Sequence, residues 1–376
     1  MVDLDARATR LDEFLDAADV EAVWFARPNG FAWLTGGSNV VDRDGDIGVA
    51  AAGYDGTFRI LTDSIEAQRI ADEEVPDAFE VAQFPWYEST LASELEARSP
   101  TPAAADIDVP GFAELDASEL RQPLTADDVE RYRALCADTA EAVESVCRGL
   151  EPTTIEADAA TALTAALRRR GIEAPVALVG GARRAQTYRH YTARDDALGE
   201  YALVSVTAQR EGLYASTSRT VAFDPPAWLA ERTEQAARVE ATALAATQAA
   251  AIGEFPADSD GATDERGTAG DVFGAIQDAY AAVGYEGEWE LHHQGGAAGF
   301  AGREWIATPD AGDPVHAPMA YSWNPTIQGA KSEDTQLVTA DAIEPLTVTG
   351  DWPTMTVESV DLPGVPTVEL ERHAPL

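Results

Sequence analysis

The residues best equipped for chemistry in this chain are a few histidines, one acid and one arginine. His190 stands in Tyr188-Arg189-His190-Tyr191-Thr192, a polar and Arg-rich stretch. Imidazole titrates near neutral pH and can carry a proton in either direction, so His190 is a candidate general acid/base; a surface histidine in a polar loop is the other reading. His292 and His293 are adjacent. On a strand their side chains point to opposite faces, and only one of them can line a cavity. Glu333 can orient and charge-stabilise His190 or His293, or it can form a buried ion pair with Arg219 or Arg303. Arg303 can clamp a substrate carboxylate through two parallel hydrogen bonds, or pair with Glu304 or another acid. Phe300, Trp305, Tyr321 and Trp323 can wall a pocket or fill a core. Ser205 and Ser216 raise the idea of a serine nucleophile, but neither lies in a nucleophile elbow.

These residues need elements to hold them. Residues 8–18 have helical spacing, Glu21–Ala26 reads as a buried strand and Pro28-Asn29-Gly30 as a turn. Strands are expected near Ile47–Ala52 and Phe58–Leu61, and helices over Ser64–Asp72 and Ser89–Arg98. This α/β alternation runs to about residue 118 and includes a Pro/Ala-rich stretch, Ser99–Ala105. A second unit opens at Leu124, where Thr125 and Asp128 match an N-terminal capping box. A long helix to about Arg148 follows, then one from Thr154 towards Gly171. Tyr201–Thr207 and Leu213–Phe223, joined by a turn containing Gly212, predict an antiparallel hairpin. Helices are expected over Ala227–Ala251 and Ala269–Val283, separated by a Gly/Asp/Ser/Thr loop at 255–267. Strand-like stretches follow through the His-His-Gln-Gly-Gly region, at Ala320–Trp323 and at Gln336–Thr339.

Composition narrows the function. The 376 residues, 45% of them hydrophobic, suffice for two ordinary cores. No apolar run reaches about 18 residues, so no membrane span is expected. The acidic, amphipathic N-terminus does not look like a secretory signal, which predicts a cytoplasmic protein. Asp and Glu number 66 against 26 Lys and Arg, a net charge of -40, and Lys331 is the single lysine. Such a chain repels itself in dilute salt, whereas in molar salt the Debye length falls to about 3 Å. The composition therefore reads as adaptation to a salt-rich cytoplasm. It offers no basic stripe for phosphates, which argues against nucleic acid as a partner. Cys136 and Cys147, within one helical pattern, match no metal spacing and read as small buried residues.

Three ordered segments resemble the creatinase, prolidase and aminopeptidase family of pita-bread hydrolases. Gly199–Ser205 and Tyr214–Thr220 resemble its paired GD-x-V-x-x-D and Y-x-D-x-T-R-T motifs, with serines at both aspartate positions, 205 and 216. Leu291–Gly296 resembles its GHGIG box and selects His293 over His292. Trp323-Asn324-Pro325 and Lys331–Thr335 resemble its Glu-Pro and Glu-His-Thr segments, with Asn324 in place of one glutamate and Glu333 keeping the other. Near the N-terminus, Pro28–Gly36 resembles the family's YLTGF stretch.

The resemblance implies an α+β protein, with a creatinase-type N-terminal α/β domain over 1–120 and a C-terminal pita-bread domain over 121–376. It implies three vestigial ligand positions, Ser205, Ser216 and Asn324. Two divalent ions there would leave about three positive charges unbalanced, so no tightly bound divalent metal is expected. Creatinase, a metal-free member that hydrolyses a C–N bond through a histidine, carries YYTALERTLF and YYGREA segments. These resemble Leu213–Phe223 and Phe300–Trp305, and the matching histidine is His190. Ser218 stands where creatinase has a glutamate, so creatine itself is not implied. The expectation is a metal-independent hydrolase of a small amidic or short peptide substrate, with His190, His293 and Glu333 catalytic and Arg303, Trp323 and Asn324 binding substrate. Two alternatives stand beside it: an inactive ligand- or protein-binding module, and an Xaa-Pro aminopeptidase or dipeptidase with an atypical metal site. A homodimer is implied by the likeness to creatinase.

Overall fold

The computed structural model describes residues 2–255 and 266–376, and the chain divides into two compact units, Met1–Val129 and Glu130–Leu376. The loop expected at 255–267 lies, but for its ends, outside the described residues.

In the first unit, Ala22–Phe25 is buried along its whole length, so both faces must be covered. It pairs antiparallel with Ala50–Tyr54 and parallel with Ala103–Ala105. Six strands result, in the order Glu80–Phe84, Phe58–Asp63, Ala50–Tyr54, Ala22–Phe25, Ala103–Ala105 and Ala113–Glu114. Trp24, Leu61, Phe84 and Leu95 form the core on one face. Pro28-Asn29-Gly30 is not a turn but the start of a helix, Pro28–Thr35. Proline suits a first helical turn, where its missing N–H would have no partner in any case. Gly36 ends that helix at φ 81°. The helix expected over Ser64–Asp72 is a single turn, Ala67–Arg69, running into a π-turn at Ile70–Glu74.

The capping box forms as expected: the Asp128 carboxylate accepts the Thr125 N–H at 3.1 Å, and the Thr125 hydroxyl accepts the Asp128 N–H at 3.2 Å. Helix Ala126–Cys147 follows. Beyond it, strands Tyr201–Arg210 and Leu213–Ala222 make the expected hairpin. Glu211 and Gly212 both take positive φ, 50° and 80°, at its tip, the twist a two-residue hairpin turn requires. Strand Glu173–Gly181 completes this sheet on one edge, with a bulge between Glu173 and Val176. Pro175 lies in that bulge, where a missing N–H is tolerated. A second antiparallel sheet has the order Gly295–Ala298, Met319–Trp323, Gln336–Val338 and Ile343–Pro345.

Two buried ionic clusters meet at Asp334. Arg219 donates to Glu144 at 2.9 Å, to Asp334 at 3.0 Å and to the Thr347 carbonyl at 2.7 Å. Arg372 donates to Glu240 and, at 3.3 Å, to Asp334, while His373 Nδ1 lies 2.7 Å from Asp334. Burial alone would raise the Asp334 carboxyl, but His373 and the two guanidiniums hold it well below the usual carboxylate range. Removing one member strands the others. Arg219→Leu is therefore expected to cost about 3–5 kcal/mol in a denaturant titration. Arg133→Ala, which breaks a half-exposed pair with Glu344, should cost under about 1 kcal/mol.

Candidate active site

Alternate residues of a strand share a face, and the hairpin register places Ser205 opposite Ser218 and Thr207 opposite Ser216. Their hydroxyls bond across the strands, Ser205 to Ser218 at 2.6 Å and Thr207 to Ser216 at 3.1 Å. Ser205 also meets the Tyr191 hydroxyl at 2.7 Å. Ser205 thus belongs to a hydroxyl network with Tyr191 and Ser218, and Ser216 to a separate pair with Thr207.

Glu333 closes this network from the other side. Its carboxylate accepts from the Ser218 hydroxyl at 2.7 Å, from the Lys331 ammonium at 2.8 Å and from Arg303 at 3.3 Å. Lys331 and Glu333 are each only 6% exposed at the side chain. Burial pushes the Glu333 carboxyl up, but Lys331 and then Arg303 outweigh it and leave it below the ordinary value. Arg303 also donates to the Ser216 hydroxyl at 3.1 Å. Neither its Nε nor Asn324 Oδ1 has a partner among the described residues, although both are buried.

The histidines converge from two segments. His190 follows the short helix Ala182–Thr187, and His292 and His293 follow the 3-10 turn Glu288–Leu291. The pair is not on a strand, since the strand starts only at Gly295. The alternation that would have sent His292 behind the sheet does not apply. Instead the two rings stack at 4.4 Å and 24°, and His292 Nε2 lies 3.2 Å from His190 Nε2. Burial lowers His292 to about 2, helped by Lys331 and the neighbouring imidazoles. Burial, Arg303 and Lys331 bring His293 to about 4. His190 is lowered by burial and by Lys331, with Glu333 opposing.

A cavity of about 600 Å³ collects His190, Ser205, His293, Arg303, Asn324, Lys331 and Glu333 against an apolar wall that includes Pro175, Leu178, Val206 and Ile306. Ser216 adjoins it through Arg303. Trp323, expected at the substrate, is wholly buried and donates its indole N–H to the Thr247 hydroxyl at 3.1 Å. Tyr321 stacks on it and Trp305 packs beside both, so these aromatics serve the core. The hydrogen bonds of Glu333 go to Ser218 and Arg303, and it pairs with Lys331. It therefore anchors cations rather than an imidazole. Sequence reasoning missed Lys331 as a lining residue, and Tyr191 and His292 as the groups that contact Ser205 and His190 from behind the cavity. The signal for Lys331 was its being the only lysine, two residues before Glu333.

The donor set does not fit a dinuclear divalent centre. Ser205, Ser216 and Asn324 are neutral, poor ligands for such ions. The one carboxylate already balances two side-chain cations in the space where the ions would add four more charges.

No curated protein sequence matches the chain. The prolidase of Pyrococcus horikoshii OT3 has the same fold, with 18% identity and a TM-score of 0.69 over 92% of this chain and 98% of that one. Xaa-Pro dipeptidase from Bacillus anthracis matches with 14% identity and a TM-score of 0.69, over 92% and 98%. The N-terminal domain of FACT complex subunit SPT16 from Cicer arietinum matches with 12% identity and a TM-score of 0.67, over 93% and 98%. The family model of metallopeptidase family M24 matches residues 130–340, over half the chain and including every cavity residue from His190 to Glu333, and the protein belongs to that family.

Proposed function

We propose that the protein hydrolyses the C–N bond of a small amidic compound or short peptide without a dinuclear metal centre, and that His190 carries the proton. The supporting observation is a cavity that sets a neutral imidazole beside two buried cations. At neutral pH His190 is unprotonated, since burial and Lys331 lower it below its ordinary value. It takes a proton from water as the water oxygen adds to the amide carbon, then returns that proton to the departing nitrogen. Arg303 and Lys331 supply positive charge where the carbonyl oxygen becomes negative, the task that metal ions perform in metal-dependent hydrolases. Asn324 Oδ1, buried and without a partner among the described residues, accepts an N–H of the substrate. His293 lines the cavity and fixes the place of His190 through its ring contact, 5.8 Å between centroids. The names prolidase and Xaa-Pro dipeptidase, borne by structural neighbours, suggest short peptides as the first substrates to try. The same reading takes the acidic composition as adaptation to a salt-rich cytoplasm and the working unit as a homodimer.

A second reading is an inactive binding module; one structural neighbour is a domain of a FACT complex subunit, which suggests a protein partner as the ligand to try. The two readings separate in a screen of dipeptides and amides in multimolar salt with chelator present. Turnover should persist there, and His190→Ala should lower kcat/KM by about 10²–10⁴-fold. Turnover that requires added divalent metal would refute the mechanism, and a wild-type protein inert towards the whole panel would leave the binding module.

The pH profile gives an independent check. His190 works deprotonated, so kcat/KM should fall as pH drops through its lowered pKa. The midpoint of the acid limb is expected below the ordinary imidazole value of about 6.5, and the limb should be missing from the residual activity of His190→Ala.

Stability should follow pH as well. His292 is lowered to about 2 in the fold against about 6.5 when unfolded. Between those values the unfolded chain binds the extra proton, so this residue makes stability fall on acidification. His292→Gln should lose less stability than wild type between pH 7 and pH 4.5, measured by denaturant midpoints at constant salt.

A further inference from the structure

Three of the chain's five histidines meet at one point, and the proton chemistry proposed above uses only one of them. We propose that His190, His292 and His293 form a site for a single divalent transition ion, zinc fitting it best, and that occupation of this site silences His190. The silencing rests on the proposed role of His190; the binding does not.

The geometry carries the argument. One ring nitrogen from each histidine can be chosen so that all three lie within 4.8 Å of one another. His190 and His292, 102 positions apart, bring their Nε2 atoms to 3.2 Å. Two tetrahedral ligands with metal–nitrogen bonds of about 2.0–2.1 Å stand roughly 3.3–3.4 Å apart. The His190–His292 contact is therefore already at ligand-to-ligand spacing. Stacking of His292 on His293 restricts both rings in advance, which reduces the ordering cost of binding. His292 is 7% exposed, and its Nδ1 is buried with no hydrogen-bond partner among the described residues. Its Nε2, the atom that meets His190, is therefore the nitrogen placed to bind an ion, with Nδ1 turned into the protein.

Donor chemistry chooses the ion. Three neutral imidazoles suit zinc, copper or nickel, whereas magnesium, calcium and manganese favour oxygen ligands. Zinc accepts three protein nitrogens and keeps its fourth position for water. The opposing effect is charge: Lys331 and Arg303 face a single carboxylate in the same cavity. The ion is therefore held by its nitrogen bonds alone, tightly enough to count but loosely enough to exchange with a strong chelator. This donor set differs from the carboxylate positions of the family, because it uses His292 and needs none of Ser205, Ser216, Asn324 or Glu333.

Equilibrium dialysis of the chelator-stripped full chain against zinc chloride in high salt tests the site. One zinc per chain is expected, and His292→Ala and His190→Gln should each weaken it by at least about tenfold, with circular dichroism confirming that both variants fold. Cobalt in place of zinc should give the intense visible absorption of tetrahedral coordination in wild type and lose it in both variants. Binding that neither variant weakens would place the ion among surface acids and overturn the proposal, as would no zinc retained or octahedral cobalt. In the activity arm, zinc should inhibit at the concentration that fills the site. Zinc bound by a chain with no turnover would uphold the site and remove the silencing. Turnover in chelator by a chain that binds no zinc would uphold the hydrolase and remove the site.

Discussion

One buried carboxylate shared by two cations sets the character of this cavity. Glu333 lies 2.8 Å from Lys331 and 3.3 Å from Arg303. At an effective dielectric near 20, the closer contact is worth about 6 kcal/mol before desolvation. Withdrawing each charge from water costs several kcal/mol, so the cluster adds little net stability. Its consequence is local. It fixes two cations at the cavity and keeps Glu333 ionised, and Lys331 adds to the burial that lowers the three imidazoles beside it. The same charges leave no room for a pair of divalent ions. Thus one arrangement limits the charge the site can hold and reinforces the shifts that burial imposes on the imidazoles.

The Glu333 arrangement depends on a second cluster behind it. Residues 331–335 run through buried surroundings, and Glu333 and Asp334 turn to different environments. Asp334 is gripped by Arg219, Arg372 and His373, and the Glu333 backbone carbonyl accepts the Ser218 N–H at 2.9 Å. With Asp334 held, the backbone has little freedom to turn Glu333 away from the hairpin. The buried network thus positions the site even though none of Arg219, Arg372 and His373 lines the cavity.

Much of this was legible in the amino-acid order, for identifiable reasons. The hairpin was readable because two apolar, β-rich stretches flank a short polar turn at Gly212, and the register the fold adopts places Ser205 and Ser216 on the same face. Glu333, Arg303, Asn324, His190 and His293 were readable through motif order, and all five line one cavity. Trp323 was misread: it ends its strand with the indole pointing to Thr247, and only Asn324, one residue beyond the strand, lines the cavity. His293 rather than His292 lines the cavity, as expected, but not for the expected reason. Alternation was applied to a segment that forms a 3-10 turn and its exit, where no ladder imposes it. Strand Glu173–Gly181 was hidden by Pro175, which weakens the strand pattern and in the fold sits at a bulge on a sheet edge.

Lys331 shows how composition can point to a site when its meaning is drawn out. The other 25 of the 26 basic residues are arginine, so no exposed position carries lysine, and the single lysine is buried. The two cations divide the work by shape. Arg303 spans Ser216 and Glu333 with separate nitrogens of one planar fork. Lys331 places a compact charge against one carboxylate oxygen, the same oxygen that accepts the Ser218 hydroxyl. A second guanidinium is wider and needs more acceptors than this corner provides, since most oxygens around it already serve other donors. Lysine rather than arginine at position 331 thus fits the size and donor count of the space beside Glu333, whatever the composition of the surface.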